Sequence, residues 1–453
     1  MTHCRTTQLC AALALAFAGS AACAQLAVRV PVPLQPAAGS GSLTTTATVQ
    51  GTLTQSSKSG AANAETEQTL VVAGARDASI DGGQASAQAT VTGALTQSRG
   101  SGGLVRQEIG VAELSGRIAA GTARAEGLVL GSLTQSANSA NPNSLTSTQR
   151  IQIGSLADVQ GGTITTRGTV AASGSISQSI QNGFTVSQTV AIADVRGSTL
   201  QSAQVSGTLA GSLAQSSATT DNFIQRVDIG NVAGSRAGTV VTSGVVTASL
   251  SQTLEASADS AGLREQTISV GRESFSSAAS VRTDGVLAGS VAQSGGERQF
   301  VGVAFVSDAT GASASARAAV DAAISQTGNA RSTQTFNAGG IVGSNGTASS
   351  DATVTGRVTQ TTSSRSAQLV SVGAIGSTTG SISTKATLNG EVTQVARTDN
   401  ANQVLSIGSV TGNAARSVRT DVTVTGAVTQ ASDGSSGNGR APQTIQIGGV
   451  TAQ

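Results

Sequence analysis

Three cysteines, one histidine, no tryptophan and no tyrosine are all that this 453-residue chain offers of the residues most often used for chemistry. Even these few are crowded at the start, as His3, Cys4, Cys10 and Cys23. That start reads as a secretory signal peptide. Arg5 forms a short basic n-region, residues 9–18 are apolar, and Ala22-Cys23-Ala24 is an A-x-A-like cleavage site before Gln25. The apolar run is too short for a membrane span. Lipid modification of Cys23 is the alternative, weakened by Ser20 where a larger apolar residue is expected.

Each absence excludes something. A chain that loses residues 1–24 has no cysteine for disulfides, although an exported compartment permits them. Zinc, copper, haem and iron–sulfur sites lose their usual ligands. Ser-His-Asp and Cys-His nucleophile systems are unavailable. We therefore expect no enzyme activity, no cofactor and no metal. Carboxylate-only glycoside chemistry alone passes this filter.

Charge of one sign is also missing. Of 26 basic residues Arg5 leaves with the leader, so 25 face 24 acidic ones. Lys58 and Lys385 are the only lysines, and the arginines are scattered along the sequence. With neither a basic stripe nor stacking aromatics, nucleic-acid binding is not expected. No later stretch approaches 18 consecutive apolar residues, so no transmembrane helix is expected. Proline is confined to Pro31, Pro33 and Pro36, in a Pro/Ala/Gly-rich linker or arm over 25–42, and to Pro142 and Pro442.

What the chain does contain is a repeat. A phrase apolar-x-Gln ends at Gln55, Gln97, Gln135, Gln178, Gln215, Gln252, Gln293, Gln326, Gln360, Gln394 and Gln430. Ten steps separate the first from the last, a mean period of roughly 37 residues, in the range of solenoids and propellers. A second phrase opens on Gln68, Gln149, Gln188, Gln225, Gln266, Gln299, Gln334, Gln368, Gln403 and Gln443. In its second copy Val105 stands at the Gln position and Gln107 at an apolar one.

Strand parity places these glutamines. In Ala89 to Gln97, residues Ala89, Val91, Gly93, Leu95 and Gln97 share one face, and Thr90, Thr92, Ala94 and Thr96 the other. In the second phrase Gln443, Ile445 and Ile447 share a face. Gln thus joins the aliphatic side. An unpaired buried amide costs about 1–3 kcal/mol, and in-register stacking of identical Gln removes that cost. The competing placement is a solvated strand edge. Gly stands four before the Gln in nine copies, Ala248 and Ala322 in two, which implies close approach of an opposing sheet or a bend. Gly110, Gly154, Gly230, Gly271, Gly373, Gly408 and Gly448 end the second strand at a corner. The variable arc between the two Gln reads as a surface loop. The expected fold is all-β: a β-solenoid of about eleven repeats over 43–453, whose single repeats are unstable alone.

Paired inward Gln, such as Gln360 with Gln368 and Gln394 with Gln403, and the Ile-Gly or Val-Gly corners resemble the curlin-type functional amyloid subunits of bacterial surface fibres. The layout is also similar to secreted repeat proteins that anchor cells to holdfast material. The resemblance implies an exported protein, extracellular or on the outer surface of a Gram-negative-type envelope. Its expected role is structural: adhesin, holdfast or cell-surface anchor, or biofilm-matrix component. Expected partners are further copies, joined end to end through uncapped rungs, or other matrix components such as polysaccharide. Two alternatives remain. A carbohydrate-binding or carbohydrate-active β-helix would use charges such as Asp77 with Asp81 or Glu297 with Arg298. An ice-binding array would use outward Thr90, Thr92 and Thr96, or Thr423, Thr425 and Thr429, on a face that Arg357 and Glu391 interrupt.

Overall fold

The computed structural model describes residues 28–29 and most of 42–451. It leaves out 58–64, 77–79, 82, 140–145, 257–261, 275–276, 309–312, 329–331, 344–345, 364–365, 398–400, 413–415 and 433–441. The expected signal peptide, most of the expected 25–42 arm and Asp77 lie outside the described residues.

The chain is a β-solenoid of parallel strands. One coil shows the plan. Ser381–Leu388 forms the first sheet, Glu391–Ala396 the second, Ala401–Ile407 the third and Val410–Thr411 a short fourth. The next coil repeats these strands one layer up, each paired in parallel with its predecessor. Stacking amounts to about nine turns, slightly fewer than the eleven repeats expected. Among the described residues, the first and last copies are covered by a complete coil on one side only. Val28–Arg29, within the expected arm, pairs with Leu70 and Val71 of the first coil.

Alternation drives the packing. In Ser381–Leu388 exposed and buried residues alternate, so Ile382, Ala386 and Leu388 enter the core while Ser381, Ser383 and Lys385 face out. One column, Leu95, Leu133, Ile176, Leu213, Leu250, Val291 and Ile324, is buried throughout. Burying each such side chain contributes about 1.5–3 kcal/mol. The aliphatic core is continuous along the axis. A smaller cluster of Val105, Ala137, Ile180, Val186, Phe223 and Leu254 lies under the arcs.

Two kinds of glycine set the thickness of the coil. At Gly131, four before Gln135, an added Cβ would overlap the carbonyl of Gly93 one coil below. The close approach there comes from the stacked neighbour in the same corner, not from an opposing sheet. The opposing approach occurs elsewhere: a Cβ on Gly168 or Gly207 would run into the backbone of the corner across the core, at Ala193 or Gly230.

That corner needs a left-handed residue. Its positions are Ala73, Ala112, Gly154, Ala193, Gly230, Gly271, Ala304, Gly339, Gly373, Gly408 and Gly448, with φ between 48° and 66°. The second copy is therefore corrected. Ala112 makes the turn expected of Gly110, which instead pairs with Gln152. Gln107 aligns with Gln68 and Gln149, and Val105 belongs to the cluster under the arc. The expected register was slipped by two residues. A two-residue slip preserves strand parity, so the inward and outward pattern could not reveal it.

The arcs also differ from expectation in two coils. Ser175–Arg196 and Ser212–Ala233 run as single strands through the second, third and fourth sheets, with a bulge at Asn182 (φ 58°) absorbing the turn. Charges scattered in sequence are aligned in space. Asp284, Arg317, Asp351, Lys385 and Asp421 occupy one outward register of alternating sign, where a one-coil slip would pair like charges.

Candidate functional site: glutamine ladders and a polar outer corner

The second and third sheets face each other across a row of glutamines. In the second sheet each Gln Nε2 donates to the Oε1 of the Gln one coil earlier: Gln97 to Gln55, then Gln135, Gln178, Gln215, Gln252, Gln293, Gln326, Gln360, Gln394 and Gln430 in turn, at 2.7–2.8 Å. The third sheet does the same from Gln107 onto Gln68 through Gln149, Gln188, Gln225, Gln266, Gln299, Gln334, Gln368, Gln403 and Gln443, at 2.8–3.1 Å. Gln107 completes the second ladder, which the slipped alignment had broken. Steps in sequence vary from 33 to 43 residues, yet the register never slips.

The second amide hydrogen has its own task. Gln215 Nε2 also donates to the Arg226 carbonyl across the row, at 3.3 Å, and Gln188 Nε2 to the Ser216 carbonyl, at 3.1 Å. The pattern recurs from Gln55 with Thr69 to Gln394 with Val404. Each amide therefore locks one coil to the next and one sheet to the other. All the ladder Gln except Gln430 and Gln443 are buried, so the solvated-edge placement is excluded for the rest. Because every amide points the same way along the axis, their dipoles add.

The outward side of the second sheet is plain. Its columns read Thr52, Thr54, Ser56; Ala94, Thr96, Ser98; Ser132, Thr134, Ser136; Ser175, Ser177, Ser179, and continue as Ser, Thr or Ala to Ala323, Ser325 and Thr327. The interrupting Arg357 and Glu391 stand only in the next two coils, where they pair at 2.8 Å. A shallow trough of about 500 Å³ follows the adjoining corner, lined by small residues such as Gly174, Ser175, Gly211 and Ser249.

A different chemistry occupies the outer corner between the third and fourth sheets. The left-handed residue makes this corner concave, and outward side chains there are buried. Glu113 holds Arg76, which also reaches Glu108. Two coils on, Arg196 bridges Asp194 and Asp228; it meets Asp228 at 2.6 Å. Arg226 and Asn231 complete the shell of Asp228, at 2.7 and 3.0 Å. Burial pushes the Glu113 and Asp194 carboxyls above the usual range, opposed by their arginines. Asp194 raises the Arg196 guanidinium further than its burial lowers it. None of these residues was singled out from sequence, because their positions one, three, six and eight after a Gln converge only once the corner is folded. The expected candidates are elsewhere: Asp81 lies in the strand Ile80–Asp81, and the Glu297 carbonyl accepts from the Thr333 amide.

Among the described residues no cluster of three or more His, Cys, Asp or Glu could hold a metal ion, and no helix is long and apolar enough to cross a membrane. No protein-family model, curated protein or solved structure matches the chain.

Proposed function

We propose that this is an exported structural surface protein, an adhesin, cell-surface or holdfast anchor, or biofilm-matrix component, that works without catalysis by display and self-association. The observation that carries the reading is the pair of unbroken glutamine ladders. They make a stiff rod in which every coil is bonded to its neighbours through side chains as well as backbone. Such a rod suits the presentation of a long repetitive surface. Self-association draws support from the coil spanning 417–451. On the face that no other described residue covers, Ile445, Ile447 and Val450 are 52%, 52% and 59% exposed. Gln430 and Gln443 donate to the coil before them. A second copy adding its strands there would bury this apolar surface and extend both ladders. Labelling intact cells with an antibody against the rod, together with electron microscopy of the released protein, tests the proposal. Surface signal with elongated or end-joined particles supports it; a protein confined to the cell interior overturns it.

One observation favours a second reading. Eight consecutive coils present uncharged Ser, Thr or Ala in three outward columns of the second sheet, which suits binding to an ordered planar surface such as ice. Thermal hysteresis in the purified protein would support this reading, and its absence would dispose of it.

A further inference from the structure

The concave corner between the third and fourth sheets holds more polar capacity than it uses. Buried outward atoms without a hydrogen-bond partner gather there: Gln152 Oε1, Asp194 Oδ1, Ser269 Oγ, Arg272 Nε and Asn337 Oδ1. They come from the coils of Gln149, Gln188, Gln266 and Gln334 and line one corner along the axis in two adjacent columns, three and six residues after the ladder Gln. At about 4.8 Å per coil that stretch is roughly 24 Å long. Unmet buried polar groups are rare and call for an explanation. They are closed off from solvent, so what the corner presents to a ligand is set by the partly exposed side chains that cover them.

Arg272 marks the centre. Unlike Arg76, Arg196 and Arg226, it forms no ion pair among the described residues. Its guanidinium lies over two rings, 5.6 Å from the centroid of Phe300 and 5.7 Å from that of Phe305. The rings are 6.0 Å apart and tilted by 59°. Both rings are partly exposed, in a chain with seven Phe and no other aromatic residue. The local acids are engaged or face elsewhere. Asp194 and Asp228 are held by Arg196 and Arg226, Glu265 stands in register with Arg298, and Glu273 points into the core. A guanidinium fork next to two aromatic faces combines a carboxylate-binding group with a platform for the C–H face of a sugar ring.

We propose that the outer corner at Arg272 binds a uronic-acid polysaccharide, with Arg272 pairing a sugar carboxylate and the partly exposed Phe300 and Phe305 stacking a ring. The proposal deepens the surface-protein reading without depending on self-association. A rod that assembles normally yet binds no uronate sinks this inference alone.

The test uses the full-length protein with polygalacturonate, its methyl ester and dextran as probes, in low salt. The wild type should bind polygalacturonate and bind the ester and dextran far more weakly. Arg272→Gln should weaken polygalacturonate binding by roughly tenfold or more, as loss of a charge-assisted pair requires. Arg317→Gln, on the first sheet and away from the groove, should leave it unchanged. Circular dichroism checks that each variant keeps its β signal. Should Arg272→Gln fail to fold, Arg272→Lys and Phe305→Leu keep charge or volume and should each still weaken binding severalfold. Three results would overturn the proposal: no wild-type binding to polygalacturonate, equal binding to the ester, or equal losses from the Arg272 and Arg317 changes.

Discussion

Gln215 and Gln178 are 37 residues apart in sequence and joined by a 2.7 Å side-chain hydrogen bond, and the other hydrogen of the Gln215 amide is given to the Arg226 carbonyl across the coil. Gln252 in turn donates to Gln215. A single side chain thus closes three contacts: down, up and across.

Removing it should leave the Gln178 oxygen and a Gln252 hydrogen without partners inside the rod. At about 1–3 kcal/mol for each unmet group, Gln215→Leu should destabilise by roughly 2–6 kcal/mol. Gln430→Leu, in a half-buried position with nothing described above it, leaves only the Gln394 oxygen unmet and should cost about 1–2 kcal/mol, less than Gln215→Leu. Urea unfolding of the two variants checks this, and equal midpoints would show that the ladder does not hold the coils.

Gly131→Ala places a methyl group against the Gly93 carbonyl one coil below. We expect a loss of roughly 1–3 kcal/mol, typical of overpacking that the backbone cannot relieve. Ala322 stands at the equivalent place in a strand, Ser313–Gly328, that runs straight through the corner, and Ala322→Gly should be milder. Thermal melts compare them; a harmless Gly131→Ala would remove the steric account of the glycine.

Stability should depend on pH through Glu113. Burial raises its carboxyl, with Arg76 pulling the other way. The folded chain then holds the proton more tightly than the unfolded chain. The resulting stabilisation is complete below the unfolded value, about 4.3, and is lost as pH rises through the raised folded value. Glu113→Gln removes this loss. Between about pH 4 and pH 7 the variant should lose less stability than the wild type. A constant difference in melting temperature across that window would contradict the assignment.

Ile447 is exposed on the coil that has no described neighbour above it, so Ile447→Lys should leave the melt nearly unchanged. If a second copy stacks there, the same change should suppress association. Sedimentation velocity over a range of concentrations reads this directly, and an unaltered distribution of species would place any association elsewhere.

The sequence by itself determined the fold class. Parity put Leu95 and Gln97 on one face, the period repeated that face coil after coil, and no helix-length pattern competed with it. It also marked the glutamines as inward, because identical amides stacked in register satisfy one another. Tertiary structure decided what parity cannot express. A slip of two residues leaves the pattern intact, so only the pairing of Gln149 with Gln107 restored the missing rung and moved the left-handed turn to Ala112. Parity is equally silent about distance across the coil, and so about the bond from Gln215 to Arg226. The outer corner depended on the fold entirely. Asp194, Asp228 and Arg272 belong to three different repeats, and only the stacking of coils bent at the same left-handed residue brings their side chains together.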